Sequence, residues 1–413
     1  RVSSSGFVFF AMGILLGRIF CRVRPSKNSE IRIMVLEQLH LHHFKNHIGS
    51  DLVFGSQVNC LLGDNGSGKT NVLDAVHYLC HTKSYFNPID GQNIAHGEDQ
   101  MLVQGQFLRH EQQEKVSCAI ARGVKKVFRW NEKAYDRLAD HVGRFPAVMI
   151  APDDAALIHE GSEMRRKWLD SVISQSDRGY LKNIMSYNKA LNQRNALLRY
   201  FAENRTWDEE SLALWDAQII PLAVAIRARR KVFVSGYTPV FQAVHSELTQ
   251  GAESVDLVYR SDVGDSEEAF AEQLLNARED DRRLRRSTCG THKDDVLFQL
   301  GEHLLKRFGS QGQQKSFLIA LRLSQLEHIE SATGVKPILL LDDIFDKIDD
   351  KRVKSLMRRV TSGSFGQVFI TDTDVDRIPS MFKETGADVK VYLVNKGEVK
   401  EAGKSVNSDH ETE

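Results

Sequence analysis

The sequence has no excess of either charge, no clustered cysteines and little proline. Its 55 basic and 55 acidic side chains cancel, which excludes the bulk positive charge of a histone-like nucleic-acid binder, so any DNA contact must come from local patches. The five cysteines include no C-x-x-C pair, which argues against a disulfide framework and a zinc ribbon and fits a reducing cytosol. With 28 glycines and 8 prolines in 413 residues, collagen-like repeats and general disorder are excluded as well.

Residues 1–33 differ from the rest of the chain. Their apolar run, residues 7–16, ends at Gly17 and is too short for a hydrocarbon core that needs about 20 residues. No small-residue cleavage site of a signal peptide is evident after it. Because a clean alternating strand pattern opens at Met34, we interpret residues 1–33 as an appendage, consistent with translation upstream of a natural start, and exclude it from the predicted fold.

Hydrophobic patterns divide the remaining chain into three regions. Short strand patterns separated by turn residues fill residues 34–150 and return after Arg286. Residues 151–286 instead carry long, polar-rich segments with helical spacing. We predict an α/β head formed by residues 34–150 and 287–400, a helical arm inserted at residues 151–286, and a disordered tail at residues 401–413. No heptad pattern persists over three or four repeats, which argues against a long coiled coil.

A phosphate-binding loop is predicted at residues 63–70, which match G-x-x-x-x-G-K-[ST] between an apolar strand pattern and a predicted helix. Its glycines let backbone N–H groups curl round a phosphate, and the helix adds its positive dipole end. We expect Lys69 to reach the terminal phosphates of a nucleotide and the Thr70 hydroxyl to bind Mg²⁺. A glycine-rich turn without a ligand is the alternative. The loop residues are Gly63, Asp64, Asn65, Gly66, Ser67, Gly68, Lys69 and Thr70.

A second candidate site follows the apolar run of residues 338–341. Asp342 and Asp343 come directly after this run, a pattern typical of a strand that is buried on both faces and ends in acids. Ligands of open α/β sheets bind at the carboxyl ends of the strands. Beside a phosphate-binding loop, we expect Asp342 to be a ligand of hydrated Mg²⁺ and Asp343 to orient or deprotonate the attacking water. Without the loop, a solvated strand end explains the same residues equally well.

A third feature precedes a helix predicted from about residue 313 to residue 331. Ser310 and Gly312 supply a hydroxyl and free N–H groups at the positive end of this helix, and Gln313 belongs to the same motif. One chain cannot easily direct two such anion-binding devices at one phosphate. We therefore predict that Ser310, Gly312 and Gln313 approach a nucleotide bound to a second copy of the protein. The alternative is an ordinary helix N-cap.

The order of these motifs resembles ABC-type ATPase heads of the SMC superfamily, and in particular the RecF family. The resemblance starts from the phosphate-binding loop, S-x-G-Q-x-K from Ser310 and L-L-L-D-D. Further motifs of that family have counterparts here, and the match runs from Met34 to about Val394. These counterparts are P-D-D-A-A-L-I-H-E-G at residues 152–161, R-R-K-W-L-D at 165–170, N-K-A-L-N-Q-R-N at 188–195, T-C-G-T-H-K-D-D at 288–295 and, with different spacing, F-K-N-H at 44–47.

The resemblance implies a homodimer that binds ATP between the phosphate-binding loop of one subunit and Ser310 and Gly312 of the other. It implies Mg²⁺ as a cofactor, double-stranded DNA and junctions with single-stranded gaps as ligands, and RecR and RecO as partners. The expected activity is slow, DNA-dependent ATP hydrolysis that acts as a timer, since ATP would close the dimer on DNA and hydrolysis would open it. The expected role is recombinational DNA repair, replication at gaps or stalled forks, and the SOS response, in the cytoplasm.

The chain departs from the family pattern at several positions. The family's S-E-L-D loop reads Asp346-Lys347-Ile348-Asp349 here, so Asp346 lacks the serine hydroxyl. Transporter-type ABC ATPases carry a histidine after the next strand, where this chain has Thr371-Asp372-Thr373. A threonine hydroxyl that senses the γ-phosphate is a hypothesis for this position. The family's usual prolines are absent near Glu163 and at Thr291.

Three clusters of basic residues are candidates for DNA contact. Each is flanked by acids or predicted to lie on a helix, so a solvated helix face is the alternative for any one of them. Together on one surface, they would follow a duplex backbone through phosphate contacts that do not depend on base sequence. The clusters are residues 165–167; Arg227, Arg229, Arg230 and Lys231; and Arg282, Arg283, Arg285 and Arg286.

A metal site is the alternative for the histidines near the start of the head. His40 and His42 would share one face of a strand, and His43 and His47 follow closely. No carboxylate or cysteine completes a metal-ligand spacing, so surface or turn histidines are the preferred interpretation.

Two rival functions belong to other classes. A membrane-associated ABC transporter ATPase subunit is suggested by the apolar N-terminus, but it requires a membrane partner and a compact helical subdomain. A chromosome-organising, SMC-like ATPase would need a long coiled coil, and no heptad pattern persists in this sequence. Neither rival accounts for the RecF-like motifs.

Overall fold

The computed structural model describes residues 33–345, 350–382 and 387–402. The predicted appendage up to residue 32, the departure at residues 346–349 and the predicted tail from residue 403 lie outside the described residues. The described part contains two six-stranded sheets, one three-stranded sheet and eleven α-helices.

The strands are β1 (Met34–Phe44), β2 (His47–Val53), β3 (Val58–Leu62), β4 (Gln100–Arg109), β5 (Gln112–Ala121), β6 (Val127–Trp130), β7 (Lys133–Ala134), β8 (Ala147–Ile150), β9 (Val255–Arg260), β10 (Asp295–Leu300), β11 (His303–Leu304), β12 (Ile338–Leu341), β13 (Val368–Asp372), β14 (Val389–Asn395) and β15 (Glu398–Glu401). The helices are α1 (Lys69–His81), α2 (Ala156–His159), α3 (Ser162–Ser176), α4 (Arg178–Asn204), α5 (Glu209–Thr249), α6 (Glu267–Asn276), α7 (Arg278–Leu284), α8 (Leu305–Phe308), α9 (Gln311–Thr333), α10 (Asp350–Thr361) and α11 (Arg377–Phe382).

The central sheet has the strand order β15-β14-β3-β13-β12-β8, and only β15 runs antiparallel to its neighbour. Strand β12 shows why the sheet is buried on both faces. Ile338 and Leu340 pack into a core with helix α1, whereas Leu339 and Leu341 pack into a core with α9 and the arm helices. Because side chains of a strand alternate between faces, one continuous apolar run supplies both cores. The sheet therefore brings the ends of β3, β12 and β13 to one edge.

A second sheet covers helix α1 from the other side. Its strands follow the antiparallel order β2-β1-β4-β5-β6-β7. Side chains at alternating strand positions are buried in the core that contains α1, and they include Leu36, Val103 and Phe107. Helix α1 is thus held between two sheets, which fixes the start of the helix where the predicted phosphate-binding loop lies.

The inserted region is built mainly of helices α3, α4 and α5. Helix α5 continues for 41 residues although Pro221 and Pro239 lie inside it. The prediction of helical structure throughout residues 151–286 is wrong at β9, which pairs with β10 of the following region. The tail prediction is likewise wrong at its first residue, because Glu401 belongs to β15.

Helix α5 is also the one helix of the described ranges that could span a membrane by length and composition alone. An 18-residue stretch of it has a mean hydropathy of 1.3. The core helix of a soluble protein passes the same test, and α5 packs against α4 and α9 and carries the buried, ion-paired Arg230. This feature by itself therefore identifies no membrane span.

Candidate nucleotide-binding site

The predicted phosphate-binding loop joins β3 to α1. At Gly63, where φ is 151°, a Cβ atom would lie 2.2 Å from the Val394 carbonyl oxygen. At Gly68, where φ is 117°, it would lie 2.7 Å from Asn46 Nδ2. Both positions therefore need glycine for conformation and for space. The result is a tight loop whose backbone precedes the positive end of a 13-residue helix.

The two polar side chains that open α1 have different partners. Lys69 is 4% exposed, and its Nζ donates to the carbonyl oxygens of Gly63 (2.7 Å) and Asp64 (2.9 Å). The lysine ammonium thus reaches back across the loop. Thr70 Oγ1 donates to Asp342 Oδ1 at 2.8 Å, which joins the loop directly to the end of β12.

Residues at the β1–β2 turn hold the phosphate-binding loop through hydrogen bonds. Asn46 Nδ2 donates to the Ser67 carbonyl (3.1 Å) and Asn46 Oδ1 accepts from Asn71 Nδ2 (2.7 Å). His47 Nε2 donates to the Gly68 carbonyl at 3.1 Å. These bracing roles were not predicted, and the only signal in the sequence was the F-K-N-H resemblance.

The histidines of this region do not form one group. His47 is fully buried, so the expectation of a surface or turn histidine is wrong there. Burial lowers the pKa of His47, so the ring is neutral near pH 7. His40 faces Asp51 at 2.5 Å on the sheet surface. Among the described residues, no three His, Cys, Asp or Glu side chains form a metal-binding group.

The acidic pair lies at the edge of the central sheet beside the loop. Asp342 is 4% exposed, and its Oδ1 accepts from both Thr70 and Thr371, each at 2.8 Å. Burial, together with the charge of Asp343, raises the pKa of Asp342 to about 6, although the two hydroxyl bonds act in the opposite direction. Asp343 has a φ of 43° and is partly exposed.

This donor set fits a nucleotide with Mg²⁺. Mg²⁺ in such sites keeps several waters and takes one or two protein oxygens plus substrate phosphates, so a dense ligand cluster is not required. The Thr70 hydroxyl and the Asp342 carboxylate already meet at 2.8 Å. In the described part of the chain, the Ser67 hydroxyl of the loop is buried without a hydrogen-bond partner, and a polar ligand or water in the loop would satisfy it.

Ser310 and Gln313 form a helix cap in this chain. Ser310 Oγ accepts from the Gln313 N–H (3.3 Å) and Gln313 Oε1 accepts from the Ser310 N–H (2.8 Å), a reciprocal capping box at the start of α9. The carbonyl of Gly312 accepts from Arg352 Nη1 at 3.2 Å. Within the described ranges, no hydrogen bond joins Ser310 to the loop at residues 63–70. Its action on a second subunit's nucleotide stays a prediction.

The remaining RecF-like motifs form ion-paired groups within the arm and where the arm joins the head. Asp170 and Asp294 both pair with the buried Arg230, and Arg165 holds Asp295 through two hydrogen bonds of 2.7 and 3.1 Å. The motif at residues 188–195 supplies Arg194, which is bonded to Asp216 (2.7 Å) and Asp281 (2.6 Å). Separately, Asp154 pairs with Arg322 of α9. Within the described residues, none of these ion pairs includes a residue of the loop at residues 63–70.

The basic clusters separate into paired and free groups. Arg230 is 1% exposed and held by two carboxylates, so the hypothesis that it contacts DNA phosphates is wrong. Arg229 pairs with Asp177 at 2.7 Å, and Arg227 pairs with Asp265. The cluster at residues 165–167 is also engaged, since Arg165 pairs with Asp295 and Lys167 with Glu163.

The cluster at the distal end of the arm is different. Its four arginines, Arg282, Arg283, Arg285 and Arg286, are all exposed and are called the arm-tip arginines below. Arg282 lies over the ring of Trp207, with 5.1 Å between the guanidinium carbon and the ring centroid. Of the four, only Arg283 forms an ion pair among the described residues, with the exposed Asp280.

The fold and the site together define an α/β ATPase head of the ABC/SMC type. The family profile described as RecF/RecN/SMC N terminal domain matches residues 35–400. The chain is 44% identical over 363 residues to the DNA replication and repair protein RecF of Flavobacterium johnsoniae, covering 87% of this chain and 99% of that protein. It is 41% identical over 370 residues to the RecF of Phocaeicola vulgatus, covering 89% and 98%. The chain therefore belongs to the RecF family, and the predicted resemblance is confirmed.

Solved structures support the same assignment. The structure of the recombination mediator protein RecF-ATP in the RecFOR pathway superposes with a TM-score of 0.83 at 25% identity and covers 92% of this chain and 100% of that chain. The RecF-ATPrS structure gives a TM-score of 0.80 at 26% identity, covering 90% and 99%. An Smc head domain from Pyrococcus furiosus shares the fold, with a TM-score of 0.52 at 16% identity over 90% of this chain and 96% of that chain.

Proposed function

We propose that this protein is an ATP-dependent DNA-binding homodimer that acts in recombinational DNA repair and in replication at gaps or stalled forks. The observation that carries the proposal is the meeting of Thr70 with Asp342 at 2.8 Å, which joins the phosphate-binding loop to the acidic strand. The names of the RecF relatives and the ATP in a related structure support it.

The roles of the site residues follow from their positions. The backbone N–H groups of the loop and the Lys69 ammonium would hold the phosphates, and Thr70 and Asp342 would hold Mg²⁺, which neutralises charge on phosphate oxygens when bound. Asp343, at the open edge beside them, would orient or deprotonate the attacking water. Turnover is expected to be slow and to depend on DNA, because hydrolysis here releases a closed state and has no metabolic product.

A second copy of the chain would complete the site. Ser310 is exposed at the start of α9, and Phe308 beside it is 64% exposed. The capping box uses the Ser310 side chain, but the first N–H groups of α9 still face outward at the positive end of a 23-residue helix. Residues Ser310, Gly312 and Gln313 of one subunit would therefore approach the terminal phosphate held by Lys69 of the other.

The DNA surface is proposed at the arm-tip arginines, because the arginines of the other two basic clusters are all ion-paired or hydrogen-bonded within the chain, which leaves Lys231 as the exposed member without an ion pair among the described residues. Double-stranded DNA and its junctions with single-stranded gaps are the expected ligands, bound through phosphates. RecR and RecO are the expected protein partners, as the RecFOR pathway named for the related structures suggests. The cytoplasm is the expected location.

A complementation experiment tests the shared site. Lys69→Ala should abolish ATP-dependent dimerisation and retention on gapped DNA without unfolding the protein. Ser310→Arg should block dimerisation while its monomer still binds ATP. A mixture of the two variants contains one intact pair of Lys69 and Ser310, so partial ATPase activity is expected, measured by phosphate release.

The isolated Ser310→Arg monomer supplies the control. Its affinity for fluorescent ATP should stay within about threefold of the wild-type value, because the loop that binds the phosphates is untouched. A loss as large as that of Lys69→Ala would mean that Ser310 acts within its own chain, and the shared-site proposal would be wrong.

A further inference from the structure

Thr371 lies between the two carboxylates of the candidate site. It is fully buried on β13, and β12 runs parallel beside it in the register Leu341 opposite Ile370. This register places Asp342, the residue after β12, beside Thr371 of β13. Thr371 Oγ1 donates to Asp342 Oδ1 (2.8 Å) and accepts the backbone N–H of Asp343 (2.9 Å).

The second of these bonds fixes an unusual backbone. Asp343 has a φ of 43°, in the left-handed region that side chains other than glycine seldom adopt. Within the described residues, the backbone N–H of Asp343 donates to the Thr371 hydroxyl and to no residue of β12 or β8. Thr371 Oγ1 also lies 3.5 Å from Asp343 Oδ1, so the threonine hydroxyl contacts both the backbone and the carboxylate of Asp343. Such strained residues persist only where their surroundings hold them.

The first of these bonds, from Thr371 Oγ1 to Asp342 Oδ1, holds the neighbouring carboxylate. A threonine hydroxyl has one proton and two lone pairs, and the Thr371 hydroxyl donates its proton to Asp342. The Thr70 hydroxyl donates to the same oxygen, Asp342 Oδ1. A lone pair of Thr70 Oγ1 would bind Mg²⁺ as proposed above while its proton stays on Asp342, so Thr70 and Thr371 would orient this carboxylate together.

We propose that Thr371 is a positioning residue for ATP hydrolysis, whose single hydroxyl holds Asp342 as a metal ligand and Asp343 toward the attacking water. This inference rests on the proposed function. It replaces the hypothesis that Thr371 senses the γ-phosphate, because its proton already has a partner in Asp342. Thr371 itself touches neither substrate nor water in this role.

Three substitutions test the proposal in the full-length protein. Thr371→Val removes the hydroxyl and keeps the branched shape, and Thr371→Ser keeps the hydroxyl. Thr333→Val repeats the first change at the C-terminal end of α9, where the threonine hydroxyl donates to the Ile329 carbonyl. Each variant is measured for kcat, for the Mg²⁺ concentration giving half-maximal hydrolysis, and for the Kd of fluorescent ATP in EDTA. Near-ultraviolet circular dichroism reports whether the fold is intact.

The expected pattern separates positioning from general damage. Thr371→Val should lower kcat at least about tenfold and raise the Mg²⁺ requirement, because a charged hydrogen-bond acceptor and a buried N–H lose their partner. Its ATP affinity in EDTA should stay within about twofold, because the loop at residues 63–70 is untouched. Thr371→Ser and Thr333→Val should behave like the wild type.

Three results would overturn the inference. These are wild-type kcat and Mg²⁺ requirement in Thr371→Val, a Thr371→Ser variant as impaired as Thr371→Val, and an equal loss of ATP affinity in EDTA. If the valine variant does not fold, Thr371→Ala and Thr371→Ser supply the same comparison, and equal kcat values in that pair contradict the proposal. Absence of ATP hydrolysis by the wild type would contradict the proposed function instead, so the two failures are distinguishable.

Discussion

At the scale of single residues, the site depends on contacts between distant parts of the chain. Thr70 and Asp342 are 272 positions apart and share a hydrogen bond. Asn46 and His47 support the loop from a turn that precedes it by about twenty residues. The Thr70 hydroxyl and the Ser67 and Gly68 carbonyls are thus held by residues of other elements, which keeps this part of the site prepared before any ligand binds.

Asp343 gives the residue-scale prediction. Asp343→Asn keeps the size of the side chain and removes the charge that would orient or accept a proton from water. Hydrolysis should fall at least about 100-fold, which is typical when a general base is lost. ATP should still bind within about threefold of the wild type, because Lys69 and the loop are unchanged. The closed dimer should therefore accumulate on gapped DNA, as measured by gel shift with ATP.

The matched control is Asp374→Asn. This residue is exposed near the same edge, outside the proposed machinery, and its side chain accepts the backbone N–H groups of Asp376 and Arg377 and lies 3.6 Å from Arg377 Nε. It should hydrolyse ATP at the wild-type rate. If Asp343→Asn does the same, Asp343 is not the carboxylate that acts on water.

At the scale of elements, local patterns predicted most of the head. The apolar run at residues 338–341 is the buried strand β12, and the helix predicted from Thr70 begins one residue earlier at Lys69. Strand β9 was missed, although Val255, Leu257 and Tyr259 alternate, because its partner β10 lies in the next region of the chain. Strand pairing over such a distance leaves no mark on the local pattern.

At the candidate DNA surface, too, the local sequence could not predict contacts between distant residues. Their number and spacing could be read from the sequence, but their partners could not. Arg230 is bonded to Asp170 and Asp294, which are 60 and 64 positions away. Only the folded arm distinguishes such buried arginines from the exposed arm-tip arginines. Likewise, the capping bonds of Ser310 are visible in one chain, whereas a shared dimer site requires a second.

The arm tip gives the element-scale prediction. Changing Arg282, Arg285 and Arg286 to Gln should weaken duplex binding and reduce the slope of log K against log salt by about 0.9 for each lost phosphate contact. The loss should be uniform across DNA sequences, because phosphate contacts carry no base information. Fluorescence anisotropy between 50 and 200 mM salt, as a rough working range, measures the slope.

A variant with the same change of charge elsewhere serves as its control. Arg122, Lys125 and Lys133 are exposed on or near the antiparallel sheet, and their triple change to Gln should leave the salt slope unchanged. Equal slopes in the two triple variants would mean that the arm tip is a solvated face without a specific role in DNA binding.

At the scale of the whole molecule, burial of histidines couples folding to pH. Burial lowers the pKa of five histidines to about 4, from 6.5 in the ordinary state. They lie in both cores and at the junction of arm and head. Acid should therefore destabilise the head and the arm together. The five are His81, His141, His245, His292 and His328.

The sign of the effect follows from proton linkage. Between pH 6.5 and 4 the unfolded chain binds a proton at each of these histidines and the folded chain does not, so acid favours unfolding. Each histidine should lower the free energy of unfolding by about 1.4 kcal/mol per pH unit in this window. Two such groups over the full window would cancel roughly 7 kcal/mol, comparable with the whole stability of many domains. We therefore expect the protein to unfold above pH 4.

Urea unfolding at pH 7, 6 and 5, followed by circular dichroism, checks this prediction. Stability should be nearly constant above pH 7 and fall with increasing steepness below about pH 6.5. His245→Leu is the sharpest variant, because neither ring nitrogen of His245 has a hydrogen-bond partner within the described residues and the ring packs near Phe241 and Phe317. Removing it should make the acid slope shallower by about one proton. An unchanged slope would show that His245 is protonated equally in the folded and unfolded chains, and burial would then not be what couples this fold to pH.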